Sequence, residues 1–158
     1  MSANTTGANN TALGREALAA NTTGSSNTAV GTDAGKTATT YDATYIGYHA
    51  GTNANVAGLT VVGAYAGDAI TSGAGNTAVG YYSLSATTTG ANNTAVGQSS
   101  LGANTTGSTN VAVGVQALLD NTTGQENTAL GYRALYNNTT ASANTGIGNM
   151  ALFHTTTG

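Results

Sequence analysis

The chain is 158 residues long, carries charge on only 6% of them with a formal net charge of −3, and contains 23 glycines but no proline, cysteine or tryptophan. So little charge gives no strong attraction for nucleic acid or an anionic membrane, and without cysteine there is neither a disulfide framework nor a thiolate metal site. No apolar run approaches the roughly 18–20 residues of a membrane span, and Met1 to Asn4 lack the basic and apolar regions that open a signal peptide.

A polar, glycine-rich composition is also that of disordered chains, but a strict repeat argues for order. Residues 1–9 read as a partial N-terminal copy. Across residues 10–158 the pattern Asn-Thr-Ala-Val/Leu-Gly recurs nine times, closing at Gly14, Gly31, Gly47, Gly63, Gly80, Gly97, Gly114, Gly131 and Gly148. The spacing between these glycines is 17 residues, or 16 at two places.

Each copy opens on a short extended segment. Its first slot holds Thr11, Thr28, Thr44, Thr60, Thr77, Thr94, Val111, Thr128 or Thr145. Two places on stands a branched aliphatic: Leu13, Val30, Ile46, Val62, Val79, Val96, Val113, Leu130 or Ile147. Alternation puts both slots on one face of a strand, and the β-branched types suit it. The glycine that follows supplies a corner. Four residues later comes Leu18, Leu84, Leu101, Leu118, Leu135 or Leu152, with Gly35, Gly51 and Gly67 in the same slot of the remaining copies. A second polar segment, clearest as Asn-Thr-Thr-Gly at 21–24, 104–107 and 121–124, reads as a second extended stretch between turns.

Nowhere do apolar residues sustain the i, i+3, i+4, i+7 spacing of a helix. The expected fold is all-β, a parallel β-roll or β-solenoid of nine coils of 16–17 residues, stacked at roughly 4.8 Å per coil. Stacking sets like residues above one another. Asn10, Asn27, Asn76, Asn93, Asn110, Asn127 and Asn144 would form an amide ladder. Thr22, Thr39, Thr71, Thr88, Thr105, Thr122, Thr139 and Thr156 would form a hydroxyl row. One branched aliphatic per coil, with a leucine added in six coils, is a thin interior for a lone chain. The nine-residue aliphatic row is therefore read as hidden from water in the core of a homotrimer, each chain pressing one face toward a threefold axis.

At this point the residues resemble a known family. The "NTAVG" and "NTALG" cores look like the repeats in the heads of trimeric autotransporter adhesins of the YadA type. The fuller "NTAVG-x-x-AL-x-x-NTTG" pattern is similar to repeats of phage tail fibre and tail spike shafts. The resemblance implies a left-handed, trimeric, parallel β-roll with the Val/Leu slot facing the threefold core. It also implies attachment to a cell surface as the role. The adhesin coils are shorter, so the added "NTT" segment implies a larger loop or a longer second strand. Neck, coiled-coil stalk, anchor and chaperone domain have no counterpart here, and the chain reads as a shaft alone. Without a signal peptide, the reading leans to a virion tail fibre over a secreted adhesin at the cell surface.

Several stretches invite other chemistry. Gly31-Thr32-Asp33-Ala34-Gly35-Lys36-Thr37 looks like a phosphate-binding loop, but one residue is missing between its glycines and no helix start follows. His49 and His154 lie six coils apart, about 29 Å, too far for a shared ion, so no metal or cofactor is expected. Glu16 and Asp33 share a slot in adjacent coils, a separation that a retaining glycosidase pair would use. Arg15 beside them, and the variety of residues in that slot elsewhere, favour a solvated turn. Tyr45 replaces the alanine of the repeat, which points to a local bulge or pocket in the third coil.

The receptor-binding candidates are Tyr48, His49, Tyr65, Tyr81, Tyr82, Tyr132 and Arg133, in the two slots after the corner glycine. Amphipathic rings on a rigid surface suit a cell-surface glycan or protein receptor. The functional expectation is a non-catalytic fibre shaft, a homotrimer with no nucleic-acid partner and no membrane insertion. The alternatives are a filament subunit that associates end to end through unpaired strand edges, an ice-binding solenoid, and, last, a tail spike glycosidase.

Overall fold

The computed structural model describes residues 2–155. Each copy contributes one three-residue strand: β1 (Thr11–Leu13), β2 (Thr28–Val30), β3 (Thr44–Ile46), β4 (Thr60–Val62), β5 (Thr77–Val79), β6 (Thr94–Val96), β7 (Val111–Val113), β8 (Thr128–Leu130) and β9 (Thr145–Ile147). They form a single parallel sheet in chain order. The register carries each slot onto its own copy in the next coil, as in Thr77↔Thr94, Ala78↔Ala95 and Val79↔Val96. The chain is thus an all-β solenoid, and among the described residues there is no helix.

The second polar segment is not a strand, contrary to the sequence expectation. Its asparagine turns back on its own backbone. Asn21 Nδ2 donates to Gly24 O at 3.0 Å while Gly24 N donates to Asn21 Oδ1 at 2.9 Å. Asn104 and Asn121 bond Gly107 O and Gly124 O in the same way, each at 3.0 Å. Such local side-chain bonds compete with a ladder and make a turn. The described threonines of this segment do align, but Thr39 Oγ1 donates to Asn55 Oδ1 and several others bond the backbone of the next coil. Thr88, Thr105 and Thr122 Oγ1 donate to the carbonyls of Thr105, Thr122 and Thr139. Thr156 lies outside the described residues.

From the corner glycine onward the backbone runs through linked β-turns. In the first coil Ala17, Ala19 and Asn21 N–H donate to Gly14, Glu16 and Leu18 carbonyls. The alternate amides of Leu18 and Ala20 reach Ala34 and Lys36 carbonyls in the second coil. Every other amide therefore closes a turn, and the rest tie coil to coil. The third residue of the first two turns, Glu16 at φ 57° and Leu18 at 49°, is left-handed, as a type II turn requires. For leucine this costs about 1 kcal/mol or more, which full burial of the side chain, worth about 2–3 kcal/mol, offsets.

The chain's own interior differs from the expected one. Leu18, Leu84, Leu101, Leu118 and Leu135 are fully buried, together with the central strand residues Ala29, Ala78, Ala95, Ala112 and Ala129. The row from Leu13 to Ile147 lies on the opposite face of the strands, outside the coil: Leu13 is 68% exposed, Ile147 65% and Leu130 46%. A coil this small admits alanine opposite an inward leucine and no larger side chain, so the bulkier aliphatics point out.

Asparagines complete the interior. Asn110 Nδ2 donates to Asn93 Oδ1 and to Gly124 O, and Asn110 Oδ1 accepts from Asn127 N and Nδ2. The buried amides of this ladder are satisfied along the axis, whereas Asn138 Oδ1, elsewhere in the interior, is buried without a partner. A second ladder of Asn104, Asn121 and Asn138 runs beside it. The first ladder breaks between Asn27 and Asn76, where Ala43 and Leu59 take the slot.

In those middle coils the filling changes. Tyr45 makes neither bulge nor pocket: it is fully buried, and its strand pairs in register on both sides. Space comes from the leucine slot. A Cβ on Gly51 would sit 2.4 Å from Tyr45 Cδ1, and one on Gly35 2.6 Å from Tyr45 Cδ2. The ring thus occupies the volume that leucines fill in other coils. Gly51→Leu alone is expected to destabilise by about 2 kcal/mol or more, and Tyr45→Ala by about 3–5 kcal/mol. Together they restore the common packing, so the double variant should be more stable than either single one in denaturant titrations. An additive cycle would refute the exchange of volume.

Candidate functional site

The two slots after the corner glycine stand at the edge of the solenoid. The second of them has φ between 52° and 59° in all nine coils, from Glu16 to Met150. One repeated backbone geometry aims nine different side chains along one column. In the third to fifth coils this column is aromatic. His49 stacks on Tyr65 with centroids 5.4 Å apart and planes 19° from parallel, and Tyr65 on Tyr82 at 4.9 Å and 9°. Tyr48 and Tyr81, from the first slot, stand edge-on to the stack, at 84° to Tyr65 and 83° to Tyr82 respectively. Five of the seven expected candidates are therefore one continuous ring cluster.

Tyr132 and Arg133 lie apart from it, three coils on. Arg133 Cζ sits 5.1 Å from the Tyr132 ring centroid and 5.3 Å from that of Tyr136, within cation–π range. Arg133 Nε also donates to Gln116 Oε1 at 2.7 Å. Tyr136 stacks on Phe153 at 5.0 Å. Neither Tyr136 nor Phe153 was singled out by sequence, although both fall five residues after a corner glycine in adjacent coils, and that shared slot is the signal.

Toward the N-terminus the column is charged. Arg15 reaches Glu16 at 3.5 Å and Asp33 at 3.4 Å, Lys36 pairs with Glu16, and His49 Nε2 lies 3.3 Å from Asp33 Oδ2. Asp33 is buried rather than solvated, which corrects the sequence reading for that residue. Lys36 holds the Glu16 carboxyl below its ordinary value, chiefly through the direct hydrogen bond. A glycosidase acid needs the reverse shift. The amides of the "GTDAGKT" stretch are likewise engaged: Asp33, Gly35 and Thr37 N–H donate to Arg15, Ala50 and Thr52 carbonyls. None of these three is free to cradle a phosphate. His49 and His154 are well separated, the latter beside Phe153 and Asn137.

The neighbouring Tyr48 hydroxyl, with burial second, raises the Tyr65 pKa, and burial followed by Tyr81 raises that of Tyr82. The cluster is a surface of rings and hydroxyls. In comparisons with known proteins, no family model, curated protein or solved structure matches the chain.

Asp68 sits near the cluster with its Oδ1 buried and without a hydrogen-bond partner. Burial raises its pKa, opposed in part by His49. An acid whose pKa is higher folded than unfolded contributes fully below the unfolded pKa, and that contribution is lost as pH rises through the folded value. Asp68→Asn is expected to raise Tm at neutral pH by no more than a few degrees, since the group is partly exposed. At about pH 3, where the native carboxyl is itself protonated, the variant and the parent should melt together. Thermal melts at both pH values check this.

Proposed function

We propose that this chain is a segment of a non-catalytic attachment fibre, assembled as a homotrimer and displayed on a virion tail or a cell surface. The observation that carries this reading is the outward aliphatic row. Nine branched side chains, one per coil, form an unbroken strip along the outer face of a single chain, and Leu13, Ile46, Leu130 and Ile147 are exposed. Single exposed aliphatics are ordinary, whereas a continuous strip marks an interaction surface.

The strip is two side chains wide, threonine beside aliphatic. Three narrow faces meeting on an axis parallel to the solenoid bury it in register, coil by coil, with closed symmetry. The resemblance to adhesin heads and tail fibre shafts supports three chains and a left-handed roll. Rigidity follows from axial hydrogen bonds at every coil, which suits a spacer that presents its outer turns to a receptor. Arg15 and Lys36 against Asp33 and Glu16, with Glu16 held ionised, favour a structural role for that pair over glycoside hydrolysis.

One observation favours a second reading. The threonine column from Thr11 to Thr145 lies on the same outer face, interrupted only by Val111, and regularly spaced hydroxyls beside methyls could order water. An ice-binding solenoid would act as a single chain with that face free. Light scattering separates the two: the fibre reading expects a mass of three chains and no thermal hysteresis.

Val96→Asp tests the interface directly. Val96 belongs to the outer row, so the coil itself should form and the β circular dichroism should be unchanged. Three carboxylates meeting in a dry core are strongly unfavourable, so the variant should run at the mass of one chain. A single-chain mass for the parent, or a stable trimer for the variant, overturns the assignment.

A further inference from the structure

Tyr48 and Tyr81 differ from the three rings they touch. His49, Tyr65 and Tyr82 stack face to face, so both faces of Tyr65 and one face each of His49 and Tyr82 are covered. Tyr48 stands at 66° to His49 and 84° to Tyr65, with centroids 4.2 and 5.3 Å away. Among the described residues no ring stacks parallel on either face of Tyr48, so the column does not sandwich it. Tyr81 stands at 83° to Tyr82, centroids 4.5 Å apart. Tyr48 is 47% exposed and Tyr81 51%. Both occupy the first slot after the corner glycine, two coils apart, and the coil between them places only the methyl of Ala64 there.

We propose that Tyr48 and Tyr81 form a two-ring platform for an extended, uncharged β-1,4-linked chain of hexopyranoses lying along the solenoid axis, a ligand class that rests on the attachment reading above and is independent of the number of chains. The C–H face of a pyranose is apolar and weakly electropositive, and it packs on the negative face of an aromatic ring. In a β-1,4-linked chain each sugar is turned over relative to the last, so one face recurs at every second residue. That interval is close to two coil spacings, roughly 9.6 Å. Ala64 leaves room for the intervening sugar. Thr32 and Gln98 hold the same slot on the flanking coils and offer a hydroxyl and an amide to sugar hydroxyls. An α-1,4-linked chain curls and does not bring coplanar faces to this spacing.

The test titrates the full chain with cellohexaose, chitohexaose and maltohexaose by calorimetry. A β-linked oligomer is expected to bind and maltohexaose is not. Tyr48→Ala and Tyr81→Ala should each weaken binding about tenfold. Tyr41→Ala removes an equally exposed ring elsewhere, 50% exposed, and should leave affinity unchanged. The paired change Ala64→Tyr with Tyr81→Ala keeps two tyrosines but sets them on adjacent coils, and it should bind no better than Tyr81→Ala alone. Equal binding of maltohexaose, no binding of either β-linked oligomer, or full affinity in the rearranged platform overturns the assignment. A trimer that fails to bind counts against the platform alone, whereas a single-chain mass counts against the shaft.

Discussion

Close approach of the coils at the corner glycine is the constraint on which the rest depends. A Cβ added to any corner glycine from Gly14 to Gly131 would lie 2.4–2.6 Å from the carbonyl oxygen of the next coil's corner glycine. Only hydrogen fits there, and φ between 132° and 137° at these residues is open only to glycine. Because every coil must pass this point in the same way, every coil repeats the backbone of the one before. Slots then superpose, amides find carbonyls in the neighbouring coil, and a side chain's surroundings are its own copies above and below. The asparagine ladder and the ring stack arise alike from this repetition.

The same repetition makes departures cooperative. A larger residue in one coil cannot be absorbed by that coil alone. Tyr45 is accommodated by glycine in its own coil and in the preceding one, and Val61 lies against Gly67 with Ile70 beside it. These coils also lose both asparagine ladders and two of them are one residue shorter. They adjoin the charged cluster on one side and carry most of the aromatic column on the other. Interior and surface thus diverge from the common repeat over the same stretch, the pattern expected where a repeat array has acquired a specialised segment.

Period, strand positions, in-register pairing and the grouping of Tyr48 to Tyr82 were legible in the sequence, because all of them follow from slot arithmetic. Which strand face turns inward was not. Alternation separates Thr-x-Val from the central alanine but does not say which side closes, and the usual preference for burying large aliphatics points the wrong way. The deciding quantity is cross-section: once Leu101 and Asn104 occupy the inside of a coil, only Ala95 fits opposite. The Asn-Thr-Thr-Gly segment misled for a related reason. Its composition fits a strand, but an asparagine three residues ahead of the glycine bonds that glycine's backbone first. Tyr45 needed volumes summed across neighbouring coils, and Tyr136 with Phe153 needed a slot that is variable elsewhere, holding Lys36, Gly102 and Leu119 among others.

A coil lined by alanine, one leucine and hydrogen-bonded amides buries little apolar area for its length. The larger aliphatics, which could stabilise most, are outside it. In the fibre proposed here, lateral assembly through the outer strand face would supply the missing burial, and folding and association would share one hydrophobic surface. The corner glycine then separates two roles in space. Residues just before it, the aliphatic row, lie on the outer strand face that the proposed fibre would bury, whereas residues just after it form the tyrosine column. Sequence can therefore vary on the far side of the corner without disturbing the interface. That freedom explains how one slot can hold Arg15, Tyr48, Ala64, Gln98 and Val115 in turn, while the slot before the glycine never leaves valine, leucine and isoleucine.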